Sequence, residues 1–93
     1  MTVRESDIEK YLVKRVKEAG GEVRKAAWIG RWGAPDRRVM LPGRLPIWIE
    51  LKAPGKVAEP HQIREHNRMR KLGELIEIIN SMEQVDALVG VSA

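Results

Sequence analysis

Two short stretches decide the fold of this chain: GAPDR at Gly33–Arg37 and IWIELK at Ile47–Lys52. In the first stretch an Asp follows a Pro at the start of a predicted strand. In the second, Glu50 and Lys52 end the next strand, and residues two apart on a strand project from the same face. We expect both side chains to lie beside Asp36. Two acids and one amine at a strand edge can hold a hard divalent cation and handle a proton. This grouping indicates phosphodiester hydrolysis.

The remaining elements follow from apolar spacing and turn residues. Ile8, Leu12 and Val16 form one apolar stripe, which predicts a helix over residues 3–19 that ends at the Gly20-Gly21 pair. The other predicted elements are strands over 22–28, 36–41, 47–52 and 74–79, a helix over 60–72, a short helix opened by a Ser81 capping box, and an optional edge strand over 88–91. The order predicts an α/β fold with a single mixed sheet flanked by helices.

Length and composition indicate one small domain over residues 1–93, without a linker or an internal repeat. The chain has no cysteine, which excludes disulfides, thiolate zinc sites and cysteine nucleophiles. No apolar run approaches the ~20 residues of a membrane span, and a signal-peptide pattern is absent. We therefore expect a cytoplasmic protein without a membrane partner. A core this small leaves little stability, which favours a homodimer.

The formal net charge is +4, and basic residues are spread widely along the chain. This distribution, with acids at a few defined places, favours a polyanionic partner such as nucleic acid. Phosphate contacts give affinity without sequence information and make binding depend on salt. The candidates for such contacts are Arg31, Arg37, Arg38, Arg44, Lys56, Arg64, Arg68 and Lys71.

The motif residues resemble a known family. Pro35-Asp36 followed by Glu50-Leu51-Lys52 is similar to the motif of the PD-(D/E)XK nuclease superfamily. The flanking residues Gly33, Ala53-Pro54-Gly55 and Gln62 resemble its virus-type replication-repair nuclease branch, the VRR-Nuc domain, of the stand-alone phage or bacterial kind. The resemblance covers nearly the whole chain and implies a restriction-endonuclease-like α-β-β-β-α-β core.

Asp36 and Glu50 are the predicted ligands of Mg²⁺ or Mn²⁺, because Mg²⁺ usually takes one or two carboxylates together with water and substrate phosphate. The resemblance adds the Leu51 carbonyl as a ligand and implies that Gln62 contacts a metal-bound water or the phosphate. Lys52 is predicted to hold or deprotonate the attacking water, or to stabilise the phosphate. We expect no small-molecule cofactor.

A third acid from the first helix is a further candidate ligand, and either Glu5 or Glu9 fits. Both can face the sheet, and the spacing back from Gly20 favours Glu9. Each also fits a capping box at the helix start, Glu5 with Thr2 and Glu9 with Ser6. The choice between the two acids stays open at this point.

Two pairs of aromatic residues have more than one interpretation. Trp28 and Trp32 flank a basic, glycine-containing loop, where they can stack on unpaired bases or serve as core or dimer anchors. His61 and His66 are five residues apart, which differs from the i, i+4 spacing of a helical zinc pair. We expect the two histidines near DNA or solvent rather than on a metal, and a histidine that acts as a general base is the less favoured alternative.

These observations predict a metal-dependent, structure-specific DNA endonuclease with branched DNA as its partner. The resemblance to stand-alone viral members implies a homodimer that resolves four-way (Holliday) junctions in DNA repair. The alternatives are a flap or single-strand nuclease, and a non-catalytic nucleic-acid-binding module that keeps the fold. The presence of Asp36, Glu50 and Lys52 together favours an enzyme.

Overall fold

The computed structural model describes residues 2–90. Within this range the elements are α1 (Glu5–Glu18), β1 (Glu22–Lys25), β2 (Arg37–Met40), β3 (Ile47–Leu51), α2 (Pro60–Lys71), β4 (Ile76–Ile79) and α3 (Met82–Val89). The strands form one sheet in the order β1-β2-β3-β4, in which β1, β2 and β3 are antiparallel and β4 is parallel to β3. The α2 helix makes the crossover that a parallel pair requires. The predicted mixed α/β fold is confirmed.

The sheet separates two apolar clusters. On one face Ile49 and Leu51 of β3 pack with the buried stripe of α1 and with Val85 and Val89 of α3. On the other face Trp48 packs with Met69 of α2 and with β4. The alternation predicted along β3 is therefore confirmed, and it places Glu50 on the same side as α2.

The helix ends differ from the predicted ones. The α1 helix begins at Glu5, and Arg4 is its N-cap residue. The Arg4 N–H donates to the Asp7 carboxylate at 2.9 Å, so neither of the predicted capping boxes opens the helix. The Ser81 hydroxyl caps α3 as predicted, accepting from the Gln84 N–H at 3.1 Å. None of the helices in residues 2–90 has the length and apolar character needed to cross a membrane.

Two strand predictions are wrong in their extent. The optional strand over 88–91 begins with Leu88 and Val89, which are the last residues of α3; Val91 lies outside the described residues. The helix continues there because Val85 and Val89, four residues apart, share its buried face. The first strand was predicted to reach Trp28 but ends at Lys25. The next residue, Ala26, still donates its N–H to the Asp36 carbonyl at 2.9 Å, and Trp28 lies beyond the sheet, with its ring against that of Trp48.

Candidate active site

The register of the sheet brings the motif residues together. Arg37 of β2 pairs with Ile49 of β3 in an antiparallel register, so the next step along both strands sets Asp36 beside Glu50. Lys52 follows β3, and its N–H donates to the Ile79 carbonyl of β4 at 2.9 Å. The three predicted residues thus lie at one edge of the sheet, where the ends of β2 and β3 meet.

Glu50 is the acid whose chemistry the fold changes most clearly. Its side chain is 12% exposed. Burial raises the pKa of Glu50 to about 7; the Lys52 and Arg37 cations oppose this shift, and the carboxylates of Asp36 and Glu5 add to it. The ionisation of Glu50 thus depends on its burial and on neighbouring charges of both signs.

His66 of α2 lies against Glu50. The histidine is fully buried, and its Nε2 is 3.3 Å from Glu50 Oε1, but the two atoms do not form a hydrogen bond. Burial lowers the pKa of His66, so its ring is neutral and the pair is not an ion pair. The expectation that His66 lies near DNA or solvent is wrong. Its position three residues before buried Met69, on the inner face of α2, is the signal that could have shown its burial.

The carboxylate pair fits a divalent cation. Within residues 2–90 Glu50 Oε1 is buried without a hydrogen-bond partner, which is a costly state for a carboxylate oxygen. Across the same part of the chain, no three Asp, Glu or His side chains are grouped as a metal site by themselves. Mg²⁺ does not need three, because one or two carboxylates with water and phosphate suffice. The negative charge of Asp36 raises the pKa of Glu50, and a bound cation would relieve the repulsion between the two carboxylates.

Arg37 organises the other acids at this edge. It is nearly buried; its Nη2 donates to Glu9 Oε2 at 2.5 Å, and its Nη1 pairs with Asp36 Oδ1 at 2.8 Å. Glu9 is therefore bound to Arg37, whereas Glu5 is the α1 acid whose charge acts on Glu50. Arg37 was predicted to contact DNA, but the structure places it between carboxylates rather than on the open surface. Its partner Glu9 lies 28 residues away in sequence, so no local pattern signals the pair.

The other predicted site residues are less closely associated with the acids. Gln62 lies in the first turn of α2, where its Oε1 accepts from the Glu59 N–H at 2.8 Å. Arg38 lies over the Trp48 ring and Arg68 is bound to Glu65. The exposed bases without an ion pair within residues 2–90 include Arg31, Lys56 and Arg64.

The structure gives the two tryptophans different surroundings. Trp28 donates its Nε1–H to the Pro35 carbonyl at 2.8 Å, and its ring centroid is 4.9 Å from that of Trp48. Trp28 is thus an anchor for the segment that carries Asp36. Trp32 is 77% exposed and stacks on His61.

Comparisons with known proteins bear on the fold and the family of the chain. No family model matches the chain. The chain is 41% identical over 90 residues to "Putative nuclease p44" of Acyrthosiphon pisum secondary endosymbiont phage 1, and the match covers 97% of both proteins. A solved structure described as "VRR_NUC domain" superposes with a TM-score of 0.81 at 40% identity, over 94% of this chain and 95% of that one.

Proposed function

This chain belongs to the VRR-Nuc family of nucleases, and we propose that it is a divalent-metal-dependent DNA endonuclease whose reaction centre is Asp36, Glu50 and Lys52. The observation that carries the proposal is the buried, unpartnered Oε1 of Glu50, in a carboxyl group that adjoins Asp36 and has its pKa raised to about 7. A metal-dependent nuclease holds its cation where the phosphate binds, and a cation here would relieve the repulsion between Asp36 and Glu50.

Mg²⁺ or Mn²⁺ would be held by the carboxylates of Asp36 and Glu50, with the Leu51 carbonyl as a further ligand. When bound, the ion would polarise the scissile phosphate and lower the pKa of a water molecule. Glu5 is the α1 acid better placed to join the site, because its charge already acts on Glu50 while Glu9 is bound to Arg37.

Lys52 is the proposed group for the proton and the phosphate. The ammonium charge of Lys52 opposes the rise in the pKa of Glu50, so Lys52 lies close enough to act on that carboxylate. A cation there stabilises the negative charge that develops on the phosphate, or orients the attacking water. The Oε1 of Gln62 is already occupied by the Glu59 N–H, so its amide nitrogen is the atom left to donate to a phosphate oxygen.

We propose branched DNA as the substrate and a homodimer as the active form. A two-fold axis relates two reaction centres, which suits the paired cuts that resolve a four-way junction. The single chain measures 37 × 35 × 19 Å, about the width of one or two DNA duplexes, so one protomer alone presents little surface to hold four arms.

A cleavage assay on four labelled DNAs of one sequence tests this proposal. A four-way junction, a flap, a single strand and a linear duplex are each incubated with Mg²⁺ or Mn²⁺ and with wild type, Asp36→Ala or Glu77→Ala. Glu77 is an exposed carboxylate on β4 and serves as the matched control. We expect wild type and Glu77→Ala to cut the junction, and Asp36→Ala to bind DNA without cutting it.

Other outcomes separate the alternatives. Preferential cutting of flaps or single strands would keep the nuclease and reject the junction resolvase. Binding of branched DNA by wild type without any cleavage would identify a non-catalytic binding module. Unfolding of Asp36→Ala, seen by circular dichroism, would show that this residue is structural.

A further inference from the structure

We propose that the exposed ring of Trp32 is a stacking platform for an unpaired nucleobase of the DNA substrate. The proposal rests on the nuclease function proposed above, and it names the feature of DNA that the protein selects. It assigns to the Trp32–His61 pair a substrate-binding role separate from the carboxylates.

The ring pair has the geometry of a platform. The rings of Trp32 and His61 are stacked, with centroids 3.7 Å apart and planes inclined by 7°. One face of the indole is thus covered, yet the residue is 77% exposed, so the opposite face is open. A large aromatic surface held flat and accessible is unusual for a side chain that serves only the fold. Every nucleobase offers a matching π-face.

The platform is held at a fixed place relative to Asp36. Gly33 follows Trp32 with a φ of +87°, and a Cβ atom at this position would lie 2.9 Å from the His61 carbonyl oxygen. The loop therefore packs directly on the first turn of α2. Its return to the sheet is fixed by the Ala26 N–H, which donates to the Asp36 carbonyl at 2.9 Å. A base stacked on Trp32 would therefore be held at a fixed place relative to the proposed reaction centre.

A groove whose lining includes Asp36 and Arg31, the residue before Trp32, lies beside the loop that carries the platform. The groove has a volume of about 440 Å³, and its lining includes Lys25, Trp28, Arg31 and Asp36. Lys25 and Arg31 are exposed and can neutralise phosphates along this path, which ends at a carboxylate proposed to bind metal. Stacked bases beside a basic path are the arrangement by which proteins bind single strands.

The geometry selects against paired DNA at this position. In an intact duplex both faces of each internal base are covered by neighbouring bases, so none is free to stack on Trp32. A base at a branch, flap or gap has a free face. The platform therefore favours substrates with at least one unpaired nucleotide next to the scissile strand. In a four-way junction, whose arms are fully paired, this is a base that unpairs at the branch point.

A double-mutant cycle between ring and base tests this inference. Two probes share the same duplex arms and carry either a thymine flap or a flap whose first two nucleotides are abasic. Binding is measured by fluorescence anisotropy with Ca²⁺, which supports binding with little cleavage because its looser coordination misplaces the water. Wild type is expected to bind the thymine flap roughly tenfold more tightly than the abasic flap. Trp32→Ala should bind both flaps with the lower affinity.

Two controls define the result. Ile29→Ala removes a fully exposed apolar side chain from the same loop and should keep the wild-type discrimination. Trp32→Tyr retains a ring and should restore most of it. Equal affinity of wild type for the two flaps would overturn the platform without any variant being needed. Unchanged discrimination in Trp32→Ala, or its loss in Ile29→Ala, would also overturn it.

Failure of this inference is distinguishable from failure of the proposed function. If wild type cuts branched DNA but does not discriminate between the flaps, only the platform is rejected. If wild type neither binds nor cuts any of the probes, the proposed nuclease function fails and the platform fails with it.

Discussion

At the scale of single residues, Glu50 connects the sequence motif to the chemistry. The fold buries the Glu50 carboxyl group beside His66 and leaves its Oε1 without a hydrogen bond. Burial and the charges of Asp36 and Glu5 raise its pKa more than the Lys52 and Arg37 cations lower it. In the absence of a metal this arrangement destabilises the ionised form. The same feature that we propose favours a bound cation thus lowers the stability of the metal-free folded chain.

Glu50→Gln is expected to stabilise the metal-free protein, and only above acidic pH. The pKa of Glu50 rises from 4.5 to about 7 on folding, so between these values the unfolded chain loses its proton first. The free energy of unfolding therefore falls as pH rises through this interval, by on the order of 3 kcal/mol in total. Thermal melts in EDTA should show a higher Tm for Glu50→Gln than for wild type at pH 8, and nearly equal values at pH 4.5.

The matched control is Glu77→Gln, which removes an exposed carboxylate from the neighbouring strand and should change Tm little at either pH. A Tm difference between Glu50→Gln and wild type that is the same at pH 4.5 and pH 8 would show that the pKa of Glu50 is not raised.

Lys52→Met is expected to slow cleavage by about 10² to 10⁴-fold, the usual contribution of a group that handles a proton in the transition state. Single-turnover rates at saturating DNA separate this effect from binding. Lys56→Met, at an exposed position four residues on, is the control and should weaken binding without slowing the single-turnover step. Rates for Lys52→Met within a few-fold of wild type would remove Lys52 from the reaction.

At the scale of elements, the sequence predicts what depends on local pattern. Ile47 and Ile49 alternate with Trp48 and Glu50 in the sequence, and this alternation correctly predicts that Glu50 lies on the face of β3 opposite to the isoleucines. The ends of elements are less well predicted. The predicted strand over 88–91 is wrong because Val89 also lies four residues after Val85, which is the spacing of one face of a helix. Both valines are buried in the same cluster as α1, and this packing favours the helix over the strand.

Contacts between distant elements are the part that the sequence does not reveal. Nothing in the charge pattern distinguishes Arg37, which is buried between Glu9 and Asp36, from the exposed Arg31. The contact of His66 with Glu50 likewise depends on how α2 crosses the sheet. These pairings follow from tertiary packing, in which one residue's environment is built by others far along the chain.

Gly33→Ala should destabilise the protein more than Gly30→Ala. Both glycines have positive φ, so each substitution carries a similar backbone cost of ~1 kcal/mol. Only at Gly33 does the new Cβ meet the His61 carbonyl, at 2.9 Å; at Gly30 no atom lies within 4 Å. Urea denaturation should show an additional loss of roughly 1–3 kcal/mol for Gly33→Ala. Equal losses would mean that the loop does not pack on α2.

At the scale of the whole molecule, the chain combines a small core with a proposed reaction centre where the ends of β2 and β3 meet. The fold and the family assignment rest on matches over nearly the full length. The proposed dimer and its DNA contacts involve surfaces outside that core.

Sedimentation velocity is expected to give a mass of about twice the 10.6 kDa chain at micromolar concentration. The physical reason is that a core of this size gains stability from a second copy, and that paired cuts need two centres. A single monomeric species across the micromolar range would reject the homodimer and, with it, the symmetric mechanism for junction resolution.

The most direct test of the central claim, that Asp36 and Glu50 form a divalent metal site, is Mn²⁺ binding measured by isothermal titration calorimetry. Wild type and the Glu77→Gln control should bind Mn²⁺ alike, and Asp36→Asn and Glu50→Gln should bind at least roughly tenfold more weakly while remaining folded, since each loses a charged ligand. Wild-type affinity in both site variants would contradict the account and place the metal elsewhere.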